Sequence, residues 1–466
     1  MVFRHMHKVI DVVNPARLNE VVGQIPIASE QDVDRIIDAA EKAYTIWSGT
    51  SPEERAARLR SAARELQDAL PELVPLFVRE NGKTLREAER DIRRSIELTE
   101  LISADLPEWW HPIVIDERQP VWARRRSRGV TAVISPWNSP VLLSFKRLIP
   151  ALAAGNTVVL KPASQCPLTL LKCAQIMAPH FPDGVLRVVT GSGSVVGEKL
   201  AKDERVRTIA FTGSTDTGRR IMQVASATVK KIFLELGGND PALVLSDATL
   251  DDESIQRMTN SILRAAGQVC IAIKRVYVHE SRYDELLEKL ADSFDGVVVG
   301  DGLKVETTMG PLNNRTQFEF VTGLIDQCKL KGLTVLTTGQ KLAPESWNNG
   351  FFMLPSIVLG AGETDEIVRC EQFGPVVPIM TFQDEDEAVE HANNTVYGLR
   401  ASVWTSKIER AQLLADRLEV GAVFHNNHGI FQDLHIEFPG IKQSGFSRES
   451  RWAALDHYTD TYGFAG

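Results

Sequence analysis

Two residues in this chain have the surroundings that covalent chemistry needs. Cys270 lies in Gly267-Gln268-Val269-Cys270-Ile271-Ala272, between a helix-like stretch, Asp252 to Ala266, and a predicted strand, Arg275 to Val278. A free thiol titrates at about 8.5, so a cysteine there becomes a nucleophile only where backbone dipoles or an exposed junction favour the thiolate. The alternative is a buried structural cysteine. Glu235 lies in Phe233-Leu234-Glu235-Leu236-Gly237-Gly238, a carboxylate among apolar residues at the end of a predicted strand. Burial would raise its pKa toward neutrality, which suits a general base that activates water.

Two glycine turns offer phosphate binding, which needs backbone N–H groups at a helix start with no side chain blocking the approach. Val189-Thr190-Gly191-Ser192-Gly193-Ser194-Val195-Val196-Gly197 follows a strand and opens a helix, but its last glycine is one position late for G-x-G-x-x-G and no acidic residue follows at the usual place. Phe211-Thr212-Gly213-Ser214-Thr215-Asp216-Thr217-Gly218 has the same placement, and Ser214 adds a hydroxyl. Either is equally readable as a plain turn between strand and helix. His425, His428 and His435 are close in sequence but lack the spacing of a zinc site, and no metal is expected.

The elements that must position these residues change in texture along the chain. Val33, Ile36, Ile37, Ala40, Tyr44 and Trp47 recur on one helix face, with Ser29 placed as its cap. Ser51, Pro52 and Glu54 announce a second helix with a capping box, and the first third reads as helical. From residue 130, β-branched runs (Val130 to Ile134, Thr157 to Leu160, Val185 to Val189, Thr208 to Phe211, Ile232 to Leu234) alternate with helix-length segments, the pattern of parallel strands with crossover helices. A second series runs from Arg275 to Val278 through Val335, Phe352, Val376 to Ile379 and Ser402 to Trp404 to Ala422 to Phe424. Two α/β domains follow, divided near Gly237-Gly238. Ile113/Ile115 and Val121/Ala123 predict a hairpin standing apart, and Arg124, Arg125, Arg126 and Arg128 read as a solvated strand edge.

Size and composition agree with this plan. The 466 residues are enough for two large domains and an accessory element, and 43% hydrophobic with 24% charged residues is the balance of a globular protein. A net charge of −9 argues against nucleic acid or an anionic membrane surface as partner. No run approaches the roughly 18 apolar residues of a membrane span. Met1 to Asn14 has no signal-peptide core, and the five scattered cysteines fit a reducing compartment, so the cytosol is the expected location.

Taken together, the motifs resemble the aldehyde dehydrogenase superfamily over essentially the whole chain. They stand in family order: Pro136-Trp137-Asn138, Lys161-Pro162-Ala163, Phe211-Thr212-Gly213-Ser214, Glu235-Leu236-Gly237-Gly238, Gly267-Gln268-Val269-Cys270, Glu371-Gln372-Phe373-Gly374-Pro375, Phe438-Pro439-Gly440 and Ser444-Gly445. The resemblance implies two α/β domains with parallel sheets plus a small β oligomerisation domain. Residues 1–105 and 127–236 would bind the dinucleotide, 237–447 would be catalytic, and 106–126 with 448–466 would oligomerise the chain as a homodimer or homotetramer.

The resemblance also implies roles. Cys270 attacks an aldehyde, Asn138 and the Cys270 N–H hold the oxyanion, and Glu235 activates the water that hydrolyses the thioester. Lys161, counted with both the catalytic and the cofactor residues, contacts the adenosine ribose, Ser214 the pyrophosphate, and Glu371 the nicotinamide ribose beside Phe373. Ser135, Pro136, Trp137, Ser164, Gly193, Phe211, Gly213 and Leu236 complete the cofactor site. Asn138, Ser139, Leu142, Lys146, Ile271 and Phe438 line the substrate tunnel. Ser164 stands where NAD-preferring members carry a glutamate that repels a 2′-phosphate, so NADP as well as NAD is expected to be accepted. Ser139 replaces a large aromatic, which leaves room for a bulky or aromatic aldehyde. Lys146 stands where relatives carry Trp or, in semialdehyde-oxidising members, Arg; it either pairs with a substrate carboxylate or is a surface lysine. A relative that passes the acyl group to coenzyme A typically lacks the base at Glu235, and a catalytically retired binding relative would not need Cys270, Glu235 and Asn138 together.

Overall fold

The computed structural model describes residues 8–116, 121–429, 439–447 and 451–465. Five parallel strands form a first sheet in the spatial order Leu186–Val188, Thr157–Lys161, Val130–Ile134, Val206–Thr212, Lys231–Glu235. Successive side chains of a strand point to opposite faces. Val133, Val158 and Leu160 therefore join one core with Trp47, Phe145 and Leu152, while Val130, Ala132 and Val159 join another with Val33, Ile37 and Ala40. Burial on both faces is why these strands read as unbroken apolar runs rather than alternations.

The four helices Glu30–Ser48, Pro52–Asp68, Leu70–Asn81 and Leu85–Trp109 supply much of that packing. Ser29 caps the first through a reciprocal box with Asp32. Ser51 caps the second by accepting from the Glu54 N–H, but the Glu54 carboxylate turns to Arg58 instead of closing the expected box, because an i,i+4 guanidinium offers it two donors. Before these helices, Val9–Asn14 and Arg17–Pro26 pair as an antiparallel hairpin that the helical reading of the first third did not include.

A second sheet has seven strands in the order Thr334–Thr337, Ser356–Leu359, Val376–Phe382, Ile273–His279, Asp240–Val244, Arg400–Trp404, Ala422–His425, parallel except for the first pair. Phe352 is not in a strand. It packs into the core four residues before Ser356–Leu359, an apolar residue whose burial mimicked strand membership. Gly237 and Gly238 lie in the short connection between the two sheets.

Ile113–Asp116 and Val121–Ser127 form the expected hairpin, and Thr459–Ala465 adds a third antiparallel strand. Arg124, Arg125 and Arg126 therefore lie on the central strand rather than an edge, with Arg128 just beyond its end. These cations are used in pairing: Arg125 lies 4.1 Å from the Trp109 ring and Arg128 bonds Asp460 at 2.8 Å. No helix among the described residues is long and apolar enough to cross a membrane.

Candidate active site

The helix Asp252–Leu263 ends in an abrupt reversal. Ala265 and Ala266 take left-handed φ of 50° and 55°, and Gly267 follows at 74°. A Cβ on Gly267 would sit 2.1 Å from the Gly374 carbonyl oxygen, so only glycine lets this loop cross the Glu371–Pro375 segment. Left-handed backbone in a non-glycine residue costs roughly 1–2 kcal/mol each and persists only where the surroundings enforce it. Here the loop is pinned: Gln268 donates to the Ala265 carbonyl at 2.8 Å and accepts from the Asn313 N–H at 2.9 Å. The reversal delivers Cys270 to the junction of the two sheets.

Glu235 arrives there from the opposite direction, as the last residue of the strand Lys231–Glu235. The segment near Ser444 fixes its backbone, with Leu236 N–H on the Ser444 carbonyl at 3.0 Å and the Ser444 hydroxyl on the Gly237 carbonyl at 2.7 Å. The Cys270 thiol lies within electrostatic reach of the Glu235 carboxylate. Desolvation, and then the charge of Glu235, hold that thiol well above the usual thiol range, while Lys274 acts in the opposite sense. Cys270 is only half-exposed, and both its desolvation and the nearby carboxylate oppose the thiolate.

Asn138 completes the cluster. It sits in the turn between Val130–Ile134 and the helix Pro140–Ala153, is buried, and donates from Nδ2 to the Gln268 carbonyl at 3.0 Å. Asn81 donates to the neighbouring Trp137 carbonyl at 2.8 Å, and the Trp137 ring meets Phe373 edge-on at 5.4 Å.

The residues expected to hold a dinucleotide line the ends of the first sheet's strands. Ser135 and Lys161 are joined by the Ser135 N–H on the Lys161 carbonyl at 3.0 Å. Lys161 is buried and its ammonium, lowered to about 8 by desolvation, is held by the Pro162 carbonyl at 3.1 Å. Ser164 donates to the Gly191 carbonyl at 3.2 Å. Gly193 is exposed and a Cβ there would meet only open space. Phe211 packs under Gly213, where a Cβ would come within 2.5 Å of its ring, and Ser214 caps the helix Thr215–Ala225. Leu236 covers Gly218 in the same way. Half-buried Pro136 lies in the turn with Trp137. Glu371 accepts from the Gly238 N–H at 3.0 Å and lies so close to Gly237 that a Cβ there would be 2.4 Å from its carboxylate. A buried cation, an open glycine turn and a helix cap with exposed N–H groups fit a pyrophosphate-linked nucleotide.

On the substrate side, Ser139, Leu142 and Lys146 follow one another along the start of the helix Pro140–Ala153, and Ile271 is buried beside Cys270. Phe438 and His435 lie outside the described residues. His425 bonds the Thr405 carbonyl, while buried His428 bonds Ser402 and faces Asp240 at 3.5 Å. No group of three metal-ligating side chains occurs among the described residues.

Four residues of the site were not singled out from sequence. Lys83, buried and 3.4 Å from Asp91, donates to the Ser139 hydroxyl at 3.0 Å. Arg264, just before the left-handed turn, is desolvated and within electrostatic reach of Cys270, and its guanidinium would lie 3.4 Å from a Cβ on Gly429. Asn313 ties Gln268 to the carbonyls of Glu80 and Asn81. Lys274 lies beneath the nucleophile loop. Only Arg264 had a sequence signal, a cation three residues before the first glycine of the cysteine motif.

A model of the family described as the aldehyde dehydrogenase family matches residues 3–462. The chain is 34% identical over 457 residues to an alpha-ketoglutaric semialdehyde dehydrogenase of Bacillus subtilis, covering 97% of this chain and 93% of that one. Among solved structures, an NADP-dependent enzyme of E. coli superposes with a TM-score of 0.92 at 34% identity, covering 98% of this chain and 94% of the other. A betaine aldehyde dehydrogenase of Staphylococcus aureus in complex with NAD+ gives a TM-score of 0.92 at 30% identity, covering 98% and 91%.

Proposed function

Because this chain belongs to the aldehyde dehydrogenase family, we propose that it oxidises an aldehyde to the carboxylic acid with NAD or NADP, with Cys270 as nucleophile and Glu235 as base. The observation that carries this reading is that the Cys270 thiol and the Glu235 carboxylate, brought in by different sheets, lie within electrostatic reach of each other.

Glu235 takes the proton of Cys270 as the sulfur attacks the aldehyde carbon, which turns an unfavourable thiolate into one formed only as the new bond forms. The Asn138 amide has two N–H groups and uses one on the Gln268 carbonyl; the second, with the Cys270 N–H, holds the oxyanion. The bound nicotinamide supplies the hydride acceptor. The acyl group then left on Cys270 is a thioester, and Glu235, once it has released the thiol's proton to solvent, accepts a proton from water and promotes the hydrolysis. Lys161, Ser164, Gly193, Ser214 and Glu371 hold the dinucleotide, and the serine at position 164 leaves room for a 2′-phosphate. Retention of Glu235 favours hydrolysis over transfer to coenzyme A.

The cations Lys83, Lys146 and Arg264 around the substrate side favour an aldehyde that carries a carboxylate, and the small Ser139 tolerates a bulky one. We assign 1–105 and 127–236 to dinucleotide binding, 237–447 to catalysis, and 106–126 with 448–466 to assembly of a homodimer or homotetramer. The outer edge of Thr459–Ala465, which pairs on one side only among the described residues, supports that assembly.

Nicotinamide reduction is measured with a panel of aldehydes, charged and uncharged, with NAD and NADP, with and without coenzyme A. The expected result is acid production without coenzyme A that Cys270→Ser abolishes. Reduction only when coenzyme A is present, or none with any aldehyde, overturns the reading.

A further inference from the structure

The buried cation nearest the nucleophile loop belongs to Lys274, four residues beyond Cys270 in the strand Ile273–His279. Its side chain is 3% exposed and turns back under the loop, where Nζ donates to the carbonyls of Val269 at 3.0 Å, Cys270 at 2.6 Å and Ala272 at 3.4 Å. It also lies 3.8 Å from the Glu371 carboxylate. The Val269 carbonyl and the Cys270 N–H belong to one planar trans peptide and point in opposite directions. Drawing that carbonyl down onto the ammonium aims the Cys270 N–H the other way, toward the side where the oxyanion would form. The preceding peptide is held by a different residue, since Asn138 bonds the Gln268 carbonyl.

We propose that Lys274 is a positioning residue for the nucleophile: it orients the Cys270 N–H as an oxyanion donor, and its charge stabilises negative charge on the Cys270 sulfur. The second half follows from the balance of charges around the thiol. Glu235 and Glu371 oppose its ionisation, while Lys274 and Arg264 favour it. Lys274 itself faces Glu371 and acts on His428, which pairs with Asp240. In a desolvated site an ammonium held by three carbonyls acts over short distances with little solvent screening. Since Glu371 also grips the Gly238 N–H, the same cation links the nucleophile loop to the segment proposed to hold the nicotinamide ribose.

This inference rests on the proposed role of Cys270, but its primary test needs no turnover. The rate of alkylation of Cys270 by iodoacetamide is followed against pH in the full-length protein, with the modified peptide identified by mass spectrometry. Lys274→Gln retains two N–H donors for the carbonyls but removes the charge; Lys274→Arg retains the charge. The expected midpoint for Lys274→Gln lies at least about one pH unit above the parent, with Lys274→Arg between them, and kcat/KM for an active aldehyde shifts in the same order. Equal midpoints for all three proteins, with unchanged kcat, overturn the proposal. If Lys274→Gln does not fold, the Lys274→Arg profile decides, since a purely structural lysine would move stability and leave the midpoint in place. A shifted midpoint in a protein that oxidises no aldehyde would leave this inference standing and remove the proposed function.

Discussion

The Glu235 carboxylate, at the end of an edge strand of the first sheet, lies within electrostatic reach of the thiol of Cys270, which is carried by the loop leading into the second sheet. Neither residue has the other as a neighbour in sequence, and each is fixed by its own backbone contacts. For Glu235 these are Leu236 and Gly237 against Ser444; for Cys270 they are Gln268 against Asn313 and three carbonyls against Lys274.

That geometry predicts that Glu235→Gln impairs both steps. A carboxamide fills the same space but can accept a proton neither from the thiol nor from water. Turnover is expected to fall by about 10²–10⁴-fold, the usual contribution of a positioned base. Rapid-mix measurement of nicotinamide reduction should show a slowed first turnover without a burst; a fast burst followed by a slow phase, with the acyl adduct in the intact mass, would confine Glu235 to the hydrolysis. A variant that turns over at the parent rate would remove Glu235 from the mechanism.

Glu80 predicts a pH dependence of stability at some distance from the chemistry. It is fully buried and accepts from the Leu168 and Thr169 N–H groups at 2.6 Å each, at the start of the helix Leu168–Met177. Desolvation outweighs those bonds and raises the carboxyl from 4.5 to about 7. The folded chain thus holds a proton that the unfolded chain has released between these values, so stability falls as pH rises from about 4.5 to about 7, by up to roughly 3 kcal/mol. Urea unfolding at pH 5 and pH 8 measures the fall. Glu80→Gln should flatten the difference relative to the parent, and an unchanged difference would show that Glu80 is ionised throughout.

Ser164 carries a prediction about the coenzyme. Its hydroxyl bonds the Gly191 carbonyl, which places position 164 at the mouth of the glycine turn expected to receive the nucleotide. A carboxylate there would repel a 2′-phosphate and accept from ribose hydroxyls. Ser164→Glu is expected to raise KM for NADP at least about tenfold while KM for NAD stays level or drops, a difference of roughly 1.4 kcal/mol or more. Steady-state kinetics with both coenzymes decides it; a parallel change in both constants would place Ser164 outside the 2′ pocket.

How much of this was legible depended on whether the signal was local. The parallel strands, the two glycine turns and the Cys270 loop were readable because each is a short pattern with its own physical requirement. The hairpin Val9–Asn14 with Arg17–Pro26 was missed because its faces are mostly solvated, so its apolar residues do not alternate cleanly. The arginine run looked like an edge because the strand that covers it, Thr459–Ala465, comes from the far end of the chain. Lys274 and Asn313 were invisible for a related reason. A lysine in a strand and an asparagine before a helix have ordinary explanations, and only the folded contacts show one gathering three carbonyls and the other tying a loop to Glu80 and Asn81.

Arg264 yields the sharpest statement about substrate. Its guanidinium is held to about 10 by desolvation. Arg264 is half-buried, and a partly desolvated guanidinium gains from an anion that approaches it. Glu87 and Asp91 lie within electrostatic reach, yet Glu87 already accepts from the Ala265 N–H at 2.7 Å and Asp91 faces Lys83, so both carboxylates have other partners. A substrate carboxylate entering beside Cys270 would meet Arg264 there. Charge-assisted bonds of this kind contribute about 1.5–3 kcal/mol, so Arg264→Met is expected to raise KM for a carboxylated aldehyde by roughly 10- to 100-fold and to leave that for an uncharged aldehyde nearly unchanged, with Lys146→Met giving a smaller effect of the same kind. Measuring kcat and KM for succinic semialdehyde and butyraldehyde in parent and variants separates the cases. If both aldehydes lose activity equally, Arg264 supports the loop rather than the substrate; if neither changes, the carboxylated class is wrong.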